Sequence, residues 1–147
     1  MKFIILSALL IFCLNGQSQG SSNSEVIFEI NFKIKSSKGK KEAKLEVKNI
    51  EKTKNFGNFD LKPGANYIKL DYNEKYLFLI TADGTSKTHT AKVSVPKTKK
   101  ELIFVKQKMS LAISDSGNNF SVETLSTSKA AKKVKKNVMK KRPDLLK

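Results

Sequence analysis

Glu25-Val26-Ile27-Phe28-Glu29-Ile30-Asn31-Phe32-Lys33-Ile34-Lys35 is the stretch that decides the fold. Val26, Phe28, Ile30, Phe32 and Ile34 alternate with Glu29, Asn31, Lys33 and Lys35, a period of two sustained over nine residues. Successive side chains of a strand point to opposite faces, so this segment predicts a sheet with one buried and one wet face. Downstream, Ala43, Leu45 and Val47 alternate with Lys44, Glu46 and Lys48 after the polar turn Ser36-Ser37-Lys38-Gly39-Lys40. Phe56 and Phe59 anchor a short strand running to Leu61, and Lys62-Pro63-Gly64 is a turn.

Further along, Ile68, Leu70 and Tyr72 share a face, and Tyr76 to Ile80 is apolar on both faces, as a central strand is. Asp83-Gly84 signals a turn. Ala91, Val93 and Val95 alternate up to Pro96, which cannot donate to a ladder. Leu102 to Val105 and Met109 to Ile113 read as two strands, and Phe120 to Val122 as a short last one after the Asp115 to Asn119 turn. Seven or eight strands at roughly ten-residue spacing, with no helical pattern before residue 125, predict an all-β chain. The expected architecture is an antiparallel β-sandwich of about seven strands, transthyretin-like or immunoglobulin-like, with a small barrel as the alternative.

On either side of this segment lie an apolar leader and a cationic end. Lys2, the apolar run Phe3 to Leu14 and the small polar residues Asn15 to Gly20 follow the three-part pattern of a secretory signal peptide. The run is short of the roughly 18 to 20 apolar residues that a spanning helix needs. The expected organisation is a signal peptide over residues 1–20, a sandwich over 21–125 and a polybasic tail over 126–147. Cys13 is preceded by Phe12 rather than the small residue a lipid-acylation signal wants, so soluble export is favoured over a lipoprotein. Without the leader the chain has no cysteine, hence no disulfide and no thiol chemistry. Secretion or residence in the periplasm is expected, with outer-membrane association as an alternative.

The chain carries a net charge of +16, of which +15 lies beyond the leader, and more than half of that excess sits after residue 128. There, eight lysines and Arg142 face one acid, Asp144. Such a block attracts anionic surfaces and polyanions. Ala131, Val134 and Val138 recur at helical spacing, so a helix could start near Ser126-Thr127-Ser128 and end by Arg142, ahead of Pro143. Leu145 lies beyond the proline and outside that stripe. In isolation the segment is at best partly helical, because its lysines repel each other. It reads either as a solvated extension or as a binding segment for an anionic membrane surface, lipopolysaccharide or extracellular polyanion. The candidate binding residues are Lys129, Lys132, Lys133, Lys135, Lys136, Lys140, Lys141 and Arg142.

The chain offers little to catalysis. His89 is its one histidine, too few for a common metal site or a triad, and it is expected at a strand entry near the rim. Asp71 and Glu74 flank a turn and read as solvated. The Asp115-Ser116-Gly117-Asn118-Asn119 loop supplies too few carboxylates for calcium. No catalytic residue, metal or cofactor is expected. No base-reading module accompanies the basic segment, so specific nucleic-acid binding is not expected either.

Residues 66–84, Asn66-Tyr-Ile-Lys-Leu-Asp-Tyr-Asn-Glu-Lys-Tyr-Leu-Phe-Leu-Ile-Thr-Ala-Asp-Gly84, resemble the carboxypeptidase regulatory-like, transthyretin-like sandwich domains of secreted Bacteroidetes proteins. In those domains an apolar strand, a short polar turn and a Tyr-led strand run into Lys-x-Gly-Tyr. Ala82 and Thr85 depart from that pattern, and the likeness covers residues 66–95. The resemblance implies a sandwich and a non-catalytic accessory role, and it carries no catalytic residue across. The expected function is an exported, non-enzymatic binding or structural module of the cell envelope with a cationic segment for anionic surfaces. The alternative is an accessory or inhibitory domain that binds a protein partner through an edge strand or loops.

Overall fold

The computed structural model describes residues 24–37, 39, 42–51, 54–82 and 89–147. The leader and the Asp83-Gly84 turn lie outside the described residues. Eight strands follow one another: β1 (Glu25–Ser36), β2 (Ala43–Asn49), β3 (Asn55–Leu61), β4 (Gly64–Asp71), β5 (Lys75–Ala82), β6 (His89–Ser94), β7 (Leu102–Ser114) and β8 (Gly117–Leu125). A helix, α1 (Ser128–Lys141), and a 3-10 turn (Pro143–Leu146) complete the described chain.

The strands form two four-stranded sheets, in the orders β4-β1-β7-β8 and β3-β2-β5-β6, so the expected sandwich is present. Five of the pairings are antiparallel, while β1 and β7 run parallel from Glu25↔Leu102 to Ser36↔Ile113. The two segments 102–105 and 109–113 are one continuous strand. Lys106, Gln107 and Lys108 interrupt its hydrophobic pattern but not its ladder, and Gln107 points into the sandwich fully buried. Its amide donates to Thr124 Oγ1 at 3.4 Å.

The inward faces interlock as the alternation of the sequence requires. Val26, Phe28, Ile30 and Phe32 of β1 meet Leu45, Val47, Tyr76, Phe78 and Ile80 of the facing sheet. Phe28 stands edge-on to Tyr76 and Phe78, with ring centroids 5.2 and 5.8 Å apart. Tyr76 is fully buried, yet its hydroxyl is satisfied at the β4–β5 corner: it donates to the Asp71 carbonyl at 2.7 Å and accepts from the Asn73 amide at 2.8 Å. Burial pushes its ionisation well above the ordinary tyrosine range, and the Asn73 hydrogen bond only partly opposes this. An aromatic anchor with a wetted or bonded tip is thus used to fix a turn.

At the β2–β3 pairing a register shift follows Val47, and Gly57 lies opposite that residue. Gly57 has φ +150°, and a Cβ there would stand 2.8 Å from the Phe59 ring. Only glycine fits without displacing Phe59.

Candidate anionic-surface interface

The basic C-terminal segment is a helix docked on the outer face of the β4-β1-β7-β8 sheet. Its N-terminus is capped by Thr127, whose Oγ1 accepts from the Ala130 amide at 3.2 Å, and the Arg142 amide closes the last turn on the Val138 carbonyl at 2.8 Å. Val134 and Val138 are fully buried against Ile27, with Tyr67, Leu102 and Phe104 around them. Ile27 was hidden in the opening alternation. It sits on the outward side of β1, where the helix rather than the facing sheet covers it.

Leu145 and Leu146 join the same apolar cluster. Leu145 lies beyond α1 and outside its stripe, as expected, but Pro143 starts the 3-10 turn that brings both leucines onto the same cluster. Arg142 braces this turn by pairing with Asp144, at 3.0 Å from Nε and 2.7 Å from Nη2. That contact holds the Asp144 carboxyl below its usual range. Lys69 adds a last tie, donating to the Lys147 carbonyl at 3.0 Å while pairing with Glu25 at 2.8 Å.

The polar pin of this interface is Glu29. The alternation puts it on the wet face, but α1 covers it and leaves it 2% exposed. Each carboxylate oxygen has partners. Oε2 accepts from Asn137 Nδ2 at 2.7 Å and from the Tyr67 hydroxyl at 3.3 Å. Oε1 accepts from Asn31 Nδ2 at 3.4 Å and faces Lys106 Nζ at 3.6 Å. A buried carboxylate is tolerated only when it is bonded in this way. Tyr67 ionises above its ordinary range, first through burial and then through the neighbouring Glu29 charge.

With Val134, Asn137 and Val138 turned to the sheet and Ala130 and Ala131 half-buried, the remaining positions of α1 are exposed. Lys129, Lys132, Lys133, Lys135, Lys136, Lys140, Lys141 and Arg142 are all exposed. A helix of this length spans about 21 Å, so the cations form an elongated band rather than one cluster. Lys132 and Lys135 border a groove floored by Leu102 and Phe104, and Lys141 and Arg142 border another near Asn58, Asp60 and Tyr67. Met139, 58% exposed, stands among them as an apolar side chain in contact with water.

The balance of forces explains why this helix forms despite its charge. A like-charged pair one turn apart costs about 0.2–0.5 kcal/mol. Burying each valine contributes about 1.5–3 kcal/mol. Docking therefore outweighs repulsion, which the segment lacks the means to do in isolation.

No family model matches this chain, and no curated protein does.

The remaining sequence candidates sit apart from α1. His89 begins β6 opposite Ile80, with its Nε2 buried and without a hydrogen-bond partner among the described residues. Asp71 and Glu74 each pair with a lysine, Lys54 at 3.4 Å and Lys97 at 3.3 Å. Among the described residues no three His, Cys, Asp or Glu side chains gather where a metal ion could be held. Sequence reasoning missed Glu29 and Asn137 as interface residues. The one available signal was the Val134–Val138 stripe, which requires an apolar partner somewhere on the sandwich.

Proposed function

We propose that this protein is an exported, non-enzymatic envelope module that adheres to anionic surfaces through the outward side of α1. One observation carries the reading: the helix uses its apolar side and Asn137 on the sheet, and leaves its seven lysines, with Arg142 at its end, exposed to solvent. A basic side chain close to an anionic membrane contributes about 1 kcal/mol, and the attraction fades within a Debye length of about 8 Å at physiological salt. Because the apolar side is already covered, α1 cannot insert as a free amphipathic helix would. Contact is electrostatic, with Met139 as its large exposed apolar addition among the described residues.

The test is partitioning onto phosphatidylcholine vesicles with and without phosphatidylglycerol. The wild type binds only the anionic vesicles, and high salt releases it. Lys132→Gln/Lys136→Gln/Lys140→Gln lowers partitioning by at least about tenfold. Unchanged binding by that variant contradicts the proposal.

A further inference from the structure

α1 covers only part of the outer face of its sheet. The rest, built from β1, β7 and β8, is a depression of about 660 Å³. Lys33, Lys35, Lys106 and Lys108 line it, with Asn31, Ser110 and Ser121 among them and Glu123 as the one acid of the lining.

The parallel register arranges these lysines in a row. Outward positions of β1 face outward positions of β7 as Glu29↔Lys106, Asn31↔Lys108, Lys33↔Ser110 and Lys35↔Ala112. Each successive rung therefore carries one lysine, first from β7 and then from β1. Rungs two residues apart are separated by about 6.6 Å, so the row runs for about 20 Å. An antiparallel partner strand, or a shift of one residue, would break it.

The four cations are not equally committed. Lys106 is held by Glu29 at 3.6 Å. Lys108 pairs with Glu123 at 3.0 Å, but both partners are more than half exposed, and such pairs contribute only about 0–1 kcal/mol. Lys33 and Lys35 have no acidic partner among the described residues. The Lys33–Lys35 end is the unneutralised part of the row.

We propose that this row binds a linear acidic polysaccharide, with lysines meeting its carboxylates or sulfates and Asn31, Ser110 and Ser121 meeting its hydroxyls. Charge complementarity selects a polyanion. The lining then selects among polyanions, since no aromatic side chain is present among its described residues to stack a base. Stacking supplies about 1–3 kcal/mol per base in single-strand binders, so a nucleic acid would gain little here beyond charge. The site is separate from the α1 cations, and either can fail without the other.

The experiment is calorimetric titration of the protein with a sulfated hexasaccharide at low salt, alongside a neutral hexasaccharide, a short polyphosphate and oligo-dT. Lys33→Ala/Lys35→Ala should weaken binding of the sulfated sugar by about tenfold or more, with an unchanged melting temperature. The Lys132→Gln/Lys136→Gln/Lys140→Gln variant, which removes more charge, should lose less affinity for it than the β1 variant does. Unchanged affinity in the β1 variant overturns the site, as does a larger loss in the helix variant. Equal or tighter binding of the neutral sugar, polyphosphate or oligo-dT overturns the assignment to an acidic glycan.

Discussion

Asn137 of α1 donates a 2.7 Å hydrogen bond to Glu29 of β1, joining residues 108 positions apart. This contact is where the cationic helix and the sandwich become one structure. It gives the helix a specific polar anchor beside the less specific packing of Val134 and Val138 on Ile27. Without Asn137, Glu29 Oε2 would keep only the longer bond from Tyr67.

Asn137→Ala should lower the free energy of unfolding by about 1.5–3 kcal/mol, the range for hydrogen bonds to charged groups. Urea denaturation of this variant, of Glu29→Ala and of the double mutant measures the coupling. Residues in direct contact couple by about 0.5–3 kcal/mol, whereas simple additivity would show that the bond does not hold the helix.

Tyr76→Phe should destabilise by about 1–3 kcal/mol, because the Asp71 carbonyl and Asn73 amide lose their shared partner in a buried corner. A pH dependence follows from the raised ionisation of Tyr76. The folded state holds the phenolic proton more tightly than the unfolded chain, whose tyrosines titrate near 10.0. The stabilisation is therefore complete below about pH 10 and declines as pH rises above it. Thermal melts across the alkaline range should show a steeper fall for the wild type than for Tyr76→Phe.

Gly57→Ala tests the bulged β2–β3 pairing. The new Cβ would meet the Phe59 ring at 2.8 Å in a backbone conformation that alanine rarely adopts. A loss of about 1–3 kcal/mol is expected by calorimetry. An unchanged melting temperature would mean that the strand repacks freely.

Much of the sandwich was legible in period-two patterning, because each inward face contacts one uniform apolar layer. Three features were not, each for a physical reason. Ile27 and Glu29 lie on the outward side of β1, where burial depends on what the distant helix covers rather than on local alternation. Gln107 is a polar residue at an inward position of β7, so the pattern reads as two strands where the backbone makes one. The parallel β1–β7 register has no local signature at all, since it pairs residues about 77 positions apart. The extent of α1 was readable from Thr127 and Pro143, and the helix leaves its lysines exposed. Its docking was not, since only the folded sheet supplies the apolar surface that Val134 and Val138 require.

Methyl–methyl nuclear Overhauser contacts between Ile27 and Val138, recorded with and without phosphatidylglycerol bicelles, test the account most directly. The account predicts that they are present in the free protein and persist when the bicelles bind, with shifts concentrated on the outward lysines of α1. Contacts absent from the free protein, or lost on binding while the lysines still engage, would contradict it.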